Sequence, residues 1–371
     1  MEPLGLYLHI PFCRSKCPYC DFYSLPYREE TAAAYVQALC RAMEQWPAPR
    51  TVDTIYLGGG TPSLLGGRLL AALLEKAGRV FGIAAGAEIT LEANPGTLSL
   101  PLLRELRAGG YNRISLGMQS SQERELVLLG RRHRPGETAQ AVELAHRAGF
   151  DNLSLDLMLG IPGQTPETAA ASVEDAAALG PRHLSAYLLK VEPGTPFGQR
   201  GLPSGALDDD AQADCYLSAV ETLEARGYRQ YEISNFAQPG FASRHNRKYW
   251  NCDDYLGLGP AAHSLVEGRR FFFPRDLEGF LRWERPFDHR EEEGAGARPE
   301  EYLMHRLRLT EGDSVSQAAA RFPQWKGASA FAHRAAPFLK TGLLCQEGDR
   351  YWFTPQGFLV STYLLARLLE D

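Results

Sequence analysis

Along the first two-thirds of the chain, short apolar runs alternate with longer stretches in which apolar residues recur every three or four positions. The short runs, 6–12, 54–58, 88–93, 113–119, 152–159 and 183–191, predict strands, and the periodic stretches 31–45, 69–80, 100–108, 137–148, 168–179 and 209–226 predict amphipathic helices. Strands alternating with helices of about ten to fifteen residues build βαβ units around a parallel sheet. Six units fall short of a closed eightfold barrel, so the pattern predicts an α/β fold containing an open, partial (β/α)6 barrel of TIM type over residues 1–227. Barrels of this kind carry their chemistry at the carboxyl ends of the strands.

The pattern changes after residue 227. Residues 228–290 are rich in aromatics and glycine, hold His245 and His263, and show no long regular element, so they read as an extension of the barrel. Residues 288–300 combine glycine, proline and charge without periodic apolar positions and read as a solvated linker. Beyond it, helices are expected at 301–309, 314–322 and 329–341, a hairpin at 343–354 around Gly348-Asp349, and a last helix at 355–369. Residues 291–371 therefore read as a winged-helix-like domain. It lacks a dense basic recognition helix, which favours packing or partner docking over DNA binding.

Composition narrows the field. Of 371 residues, 44% are hydrophobic and 23% charged, as in ordinary globular proteins, and the net charge of -6 argues against general nucleic-acid binding. No apolar run reaches the length of a membrane span, and Met1-Glu2-Pro3-Leu4 does not begin a signal peptide. Of seven cysteines, Cys40, Cys215, Cys252 and Cys345 are scattered, which fits free thiols in a reducing cytoplasm.

The other three stand close together. Cys13, Cys17 and Cys20 have the spacing C-x3-C-x2-C, in a short loop directly after the first predicted strand. Such a loop can turn three sulfurs toward one point, as an iron–sulfur cluster requires. Three ligands on a four-iron cluster leave one iron open. The same spacing also admits a zinc site with His9 as fourth ligand, or a disulfide with a spare thiol.

The remaining strand ends are polar or glycine-rich: Gly58-Gly59-Gly60-Thr61-Pro62 after the second, Glu92 and Asn94 at the third, Gln119 at the fourth, Asp156 in the fifth, and Tyr187 and Lys190 at the sixth. Glycine lets backbone approach a ligand closely. Carboxylates and amides converging on one face suit an amine, a ribose and an adenine.

Taken together, the cysteine loop, Gly59-Gly60-Thr61-Pro62, Glu92, Gln119, Arg131 and Asp156 resemble the site of the radical S-adenosylmethionine (SAM) superfamily, in its oxygen-independent coproporphyrinogen III oxidase-like family. The resemblance implies a [4Fe–4S] cluster on Cys13, Cys17 and Cys20, with SAM chelating the open iron. It implies that Gly59, Gly60 and Thr61 meet the aminocarboxylate end of SAM, with Glu92 near its amine. Gln119, Arg131 and Asp156 would line its ribose and carboxylate side, with Tyr7 and Tyr19 in contact. The implied chemistry is transfer of one electron to the sulfonium, giving methionine and a 5′-deoxyadenosyl radical.

Two branches share this scaffold. The porphyrinogen-decarboxylating branch typically carries a further cysteine two positions after the third, where this chain has Phe22, and an N-terminal extension ahead of the loop. The haem-chaperone branch, of HemW type, has Cys-Pro-Tyr-Cys-Asp-Phe and His-Asn-x-x-Tyr-Trp, present here as 17–22 and 245–250. Resemblance to that branch implies a cytoplasmic haem-binding protein, a monomer or weak dimer, with His245 at the haem. It would pass haem to apo-haemoproteins, some of them membrane-associated, whether or not SAM is cleaved in the process. The alternatives are the oxidative decarboxylation of propionates and, from a different class, a zinc-stabilised interaction protein.

Overall fold

A computed structural model describes residues 2–296 and 298–370. Six parallel strands lie side by side in chain order: β1 (Leu4–Ile10), β2 (Val52–Gly59), β3 (Ile83–Ala93), β4 (Arg113–Gln119), β5 (Asn152–Leu159) and β6 (His183–Leu188). Helices Glu29–Glu44, Gly66–Phe81, Leu100–Ala108, Pro135–Arg147 and Pro166–Ala178 make the successive crossovers, and Asp209–Ala225 follows β6. This is the expected α/β partial barrel.

Strand parity explains how the barrel holds both a core and a site. Successive side chains of a strand point to opposite faces. Leu4, Leu6, Leu8 and Ile10 of β1 are fully buried in one apolar cluster with Ala32, Tyr35, Val36 and Leu39 of the first helix. The alternate residues Tyr7 and His9 face the inside, as do Arg113, Ser115, Gly117 and Gln119 of β4. The outer face thus supplies the hydrophobic driving force, about 25 cal/mol per Å² of apolar surface buried, and leaves the inner face free to be polar.

The sheet does not close on itself. Beyond β6 it continues through Asn235–Ala237 and Arg229–Glu232, both antiparallel to their neighbours. On the far side of β1 it continues through Tyr255–Leu258, parallel to β1, and then through antiparallel His263–Val266, Arg269–Phe272 and Glu291–Ala295. The segment without apparent elements therefore supplies five of these six short strands, to both flanks. Each spans five residues or fewer, too short for a periodic signal, and pairing with an existing sheet supplies the order. Residues read as a solvated linker contain one of these strands, Glu291–Ala295.

The C-terminal part has its own core, built from Leu303, Leu307, Phe331, Phe353, Phe358 and Leu364. Helices Pro299–Arg306, Val315–Arg321 and Ala328–Lys340 pack with a small sheet of Asp313–Ser314, Leu344–Glu347 and Arg350–Phe353. The last helix is broken into Pro355–Leu359 and Ser361–Leu368. This domain docks on the sheet edge, where Thr310 donates its amide to the Tyr231 carbonyl at 3.1 Å. Among the described residues no helix is long and apolar enough to cross a membrane.

Candidate functional site at the carboxyl ends of the strands

A cavity of about 1080 Å³ opens at the carboxyl ends of the six strands, and Cys13, Cys17 and Cys20 all line it. Its size is slightly above the usual range of ligand cavities, about 300–1,000 Å³. The cysteine loop leaves β1 and is tied down on both sides. Leu25 donates its amide to the Pro11 carbonyl at 2.8 Å, Tyr27 to Cys13 at 3.0 Å, and Phe197 to Pro18 at 3.0 Å. Thr61 Oγ1 lies 3.6 Å from Cys13 Sγ, and Arg131 Nη1 lies 3.7 Å from Cys17 Sγ. Burial pushes the Cys20 thiol up, and the neighbouring Cys17 and Cys13 add to the shift. Among the described residues no three His, Cys, Asp or Glu side chains already form a closed metal cage. The thiols surround a shared space beside a guanidinium, and their softness suits iron–sulfur ligation.

His9 is not available as a fourth ligand. Its Nε2 donates to the Tyr23 carbonyl at 2.8 Å and its Nδ1 lies 3.0 Å from the Tyr7 hydroxyl. Burial lowers its pKa to about 4, so the ring is neutral and both nitrogens are used. This removes the Cys3His zinc alternative.

The glycine run after β2 is fixed by space. A Cβ on Gly59 would run into the His9 ring, and one on Gly60 would sit 2.6 Å from the Phe12 carbonyl oxygen. Gly60 and Thr61 donate their amides to Ile10 and Phe12 at 2.9 and 2.7 Å, joining the run to the cysteine loop. Gly59 donates to Glu92 Oε2 at 3.1 Å, and the Tyr56 hydroxyl donates to Glu92 Oε1 at 2.7 Å. Burial nevertheless raises the Glu92 pKa to about 7, with Asp156 pushing the same way. A cationic amine placed there would hold the carboxylate ionised.

Gln119 sits at φ 66°, a left-handed conformation rare for a side chain other than glycine. The β4–β5 ladder shifts register between Leu116 and Gln119, and this bulge ends the strand at the cavity. Arg131 donates to the Gly117 carbonyl at 2.9 Å, binds the Asn94 side chain, and lies 3.5 Å from the Tyr19 hydroxyl. Asp156 accepts from Ser185 at 2.8 Å and from Ser115 at 3.3 Å; burial still pushes its carboxyl up. The expected residues Tyr7, Tyr19, Gly59, Gly60, Thr61, Glu92, Gln119, Arg131 and Asp156 thus line one cavity with the cysteines.

His245 is placed differently. It is fully buried, and it does not line the cavity. Nδ1 lies 2.8 Å from Thr54 Oγ1 of β2 and Nε2 lies 2.9 Å from the Tyr249 hydroxyl, while its amide donates to Glu88 of β3 at 3.2 Å. Its ring stacks on Tyr56 at 5.3 Å, and burial drives its pKa down to about 3. With both nitrogens engaged it has no lone pair to offer a metal in this structure. It pins helix Arg244–Asn251, which brings Asn246 and Tyr249 to the cavity.

Tyr56, Arg113, Ser115, His183 and Ser185 also line the cavity and were not singled out from the sequence. Their signal was parity: Arg-Ile-Ser-Leu-Gly-Met-Gln and His-Leu-Ser-Ala-Tyr-Leu alternate polar and apolar positions, which marks a strand with one polar face.

Parallel strands around a three-cysteine loop define the class as a radical SAM protein, and comparison with known proteins agrees. Residues 7–176 match the Radical SAM superfamily, and residues 296–360 match the HemN C-terminal domain. Heme chaperone HemW of Escherichia coli (strain K12) is 42% identical over 84% of this chain and 84% of its own. Heme chaperone HemW of Mycobacterium tuberculosis (strain H37Rv) is 37% identical over 99% of this chain and 95% of its own. The chain belongs to the HemW family. Among solved structures, coproporphyrinogen III oxidase (HemN) from Escherichia coli shares the fold, with a TM-score of 0.84 at 24% identity over 99% of this chain and 90% of that one. As a radical SAM protein it works with a [4Fe–4S] cluster and SAM.

Proposed function

We propose that this protein is a cytoplasmic haem chaperone that binds haem in the wide cavity beside its cluster loop and hands it to apo-haemoproteins. The observation that carries this reading is the extent of the cavity. It continues past the SAM-type residues to a wall containing Tyr249, Tyr255, Ala261 and His263, an aromatic surface that suits a porphyrin face. The names of the relatives, at 37–42% identity, support the same reading.

In this reading Cys13, Cys17 and Cys20 hold the cluster, and the bound cluster with SAM supplies one-electron chemistry at a sulfonium. Gly59 and Gly60 let the backbone approach SAM, and Glu92 receives its amine. Gln119, Arg131 and Asp156 orient the remaining polar groups, with Tyr7 and Tyr19 against the cofactor. Phe22, 65% exposed, stands where the decarboxylating branch carries its additional cysteine. His245 supports the haem side by fixing the helix that bears Asn246 and Tyr249.

The test is anaerobic titration of the cluster-loaded protein with haem, followed by mixing with an apocytochrome. Stoichiometric binding and transfer are expected. Vinyl products from coproporphyrinogen III with SAM consumed, and no haem transfer, would replace this reading by oxidative decarboxylation.

A further inference from the structure

Most polar groups on the inner face of the barrel find their partners within the protein. Asp156 accepts from Ser115 and Ser185. His183 is held between Ser154 at 2.7 Å and Tyr231 at 2.9 Å. The exception is a row that starts from Arg113, the first residue of β4. Arg113 is 1% exposed and lines the cavity, yet among the described residues it forms no ion pair and its Nε has no hydrogen-bond partner. Its register neighbours are Thr90 on β3 and Asn152 on β5, and Thr90 Oγ1 and Asn152 Oδ1 are likewise buried without partners. Three adjacent strands thus present an unpaired polar row at one level of the barrel.

Buried polar groups are ordinarily paired, and a buried charge left alone is costly. Burial works against the charge of Arg113, but Glu88, Tyr56, Tyr231 and Asp156 outweigh it and keep the guanidinium protonated. Burial and the Arg113 charge together keep His183 neutral. The nearby carboxylates are engaged elsewhere. Glu88 accepts from the His245 amide at 3.2 Å, and Glu92 from Tyr56 and Gly59. A carboxylate carried in by a ligand would complete the fork of the guanidinium.

Other cations of the cavity are placed differently. Arg131 is bound to Asn94 and to the Gly117 carbonyl. Lys190 pairs with Glu192 at 2.6 Å and Arg275 with Asp21 at 3.3 Å, both through exposed side chains in bridges that solvent screens. Among these, Arg113 alone combines a buried charge with an unused donor.

Haem carries its two carboxylates as propionates on one edge. We propose that Arg113, with Thr90 and Asn152 beside it, receives a haem propionate, so that haem enters the barrel with its propionate edge inward and its apolar edge toward the mouth of the cavity. This rests on the haem-chaperone reading and gives it an orientation. The carboxylate of SAM offers the same chemistry, and the test separates the two sources.

The experiment titrates haem and haem dimethyl ester into cluster-loaded wild type, R113Q, R113K and R275Q and follows the Soret band. Circular dichroism verifies folding, and anaerobic calorimetry gives the SAM affinity. Wild type is expected to bind haem at least tenfold more tightly than the ester. The preference persists at about 1 M salt, where a Debye length of about 3 Å would erase a pairing at the rim. R113Q binds haem and ester alike, R113K keeps part of the preference, and R275Q keeps all of it. If R113Q does not fold, the wild-type comparison, its salt dependence and R275Q still decide. Equal affinity of wild type for haem and ester overturns the propionate assignment while the haem reading stands. A preference lost in R275Q or at high salt, or kept in folded R113Q, overturns it as well. Folded R113Q that keeps the preference and loses SAM affinity tenfold assigns the guanidinium to SAM instead. Absence of saturable haem binding by wild type overturns both readings.

Discussion

His245 and Thr54, separated by 191 positions in the chain, meet at 2.8 Å in the interior of the barrel. The contact ties the extension to the second strand of the sheet, and the Tyr249 hydroxyl occupies the other ring nitrogen. A conspicuous histidine in a conspicuous motif thus serves as a buried anchor.

Removing the anchor should be costly in stability. Thr54→Val leaves the imidazole nitrogen without its partner in a dry interior, where an unsatisfied group costs about 1–3 kcal/mol. Thermal denaturation of the two proteins at neutral pH should show the variant melting several degrees lower. An unaltered melting temperature would mean that the hydrogen bond contributes nothing.

Glu92 gives the stability a pH dependence of known sign. Its carboxyl titrates near 4.5 when unfolded and about 7 when folded, so the folded state holds the proton more tightly. Its contribution is complete below the unfolded value and is lost as pH rises through about 7. Glu92→Gln does not titrate, so the stability of wild type relative to this variant should fall between pH 4.5 and 7, by at most about 1.4 kcal/mol per pH unit. Denaturant melts of both proteins across that window provide the measurement; parallel curves would refute the buried-carboxyl account. SAM carries an amine cation, so its affinity for wild type should rise over the same window.

Cys17→Ser should reduce the iron retained after anaerobic reconstitution, because two thiolates and an alcohol do not hold a four-iron cluster. Cys345, on the strand Leu344–Glu347 of the C-terminal domain, is the control, and Cys345→Ser should keep its full iron content. Equal iron in the two variants would remove Cys17 from the ligand set.

Asp156 is joined to β4 through Ser115 and to β6 through Ser185. Asp156→Ala takes away an acceptor that faces the cavity and releases both hydroxyls. SAM affinity measured by anaerobic calorimetry should drop at least tenfold, and Asp156→Asn, which keeps an acceptor oxygen, should retain part of it. Wild-type affinity in the alanine variant would exclude Asp156 from the SAM site.

Gly60→Ala tests the join between strand and loop. The added methyl would lie 2.6 Å from the Phe12 carbonyl, a backbone atom that cannot rotate away. A lower melting temperature and weaker cluster retention are expected together, since the displaced backbone carries Cys13.

Features that depend on near neighbours were legible in the sequence. The C-x3-C-x2-C spacing and the glycine run are short-range patterns, and the barrel strands and helices followed from hydrophobic periodicity, with Arg113–Gln119 and Asn152–Leu159 matching their expected limits residue for residue.

The convergence of the strand ends was also predictable, because parallel strands joined by right-handed crossovers all end on one side of the sheet.

Tertiary structure decided the rest. The six flanking strands are ordered by pairing with a sheet already in place, so nothing local announces them. The environments of the histidines are set in the same way. His245 became a neutral anchor because Thr54, Glu88 and Tyr249 surround it, whereas His263 kept a free nitrogen because Phe272 and Glu293 hold only one side of it. The sequence by itself determined which residue types were available and on which elements they lay. Which of them lost water, gained a partner or kept an open lone pair was decided by contacts between distant parts of the chain, and those contacts exist only once the chain has folded.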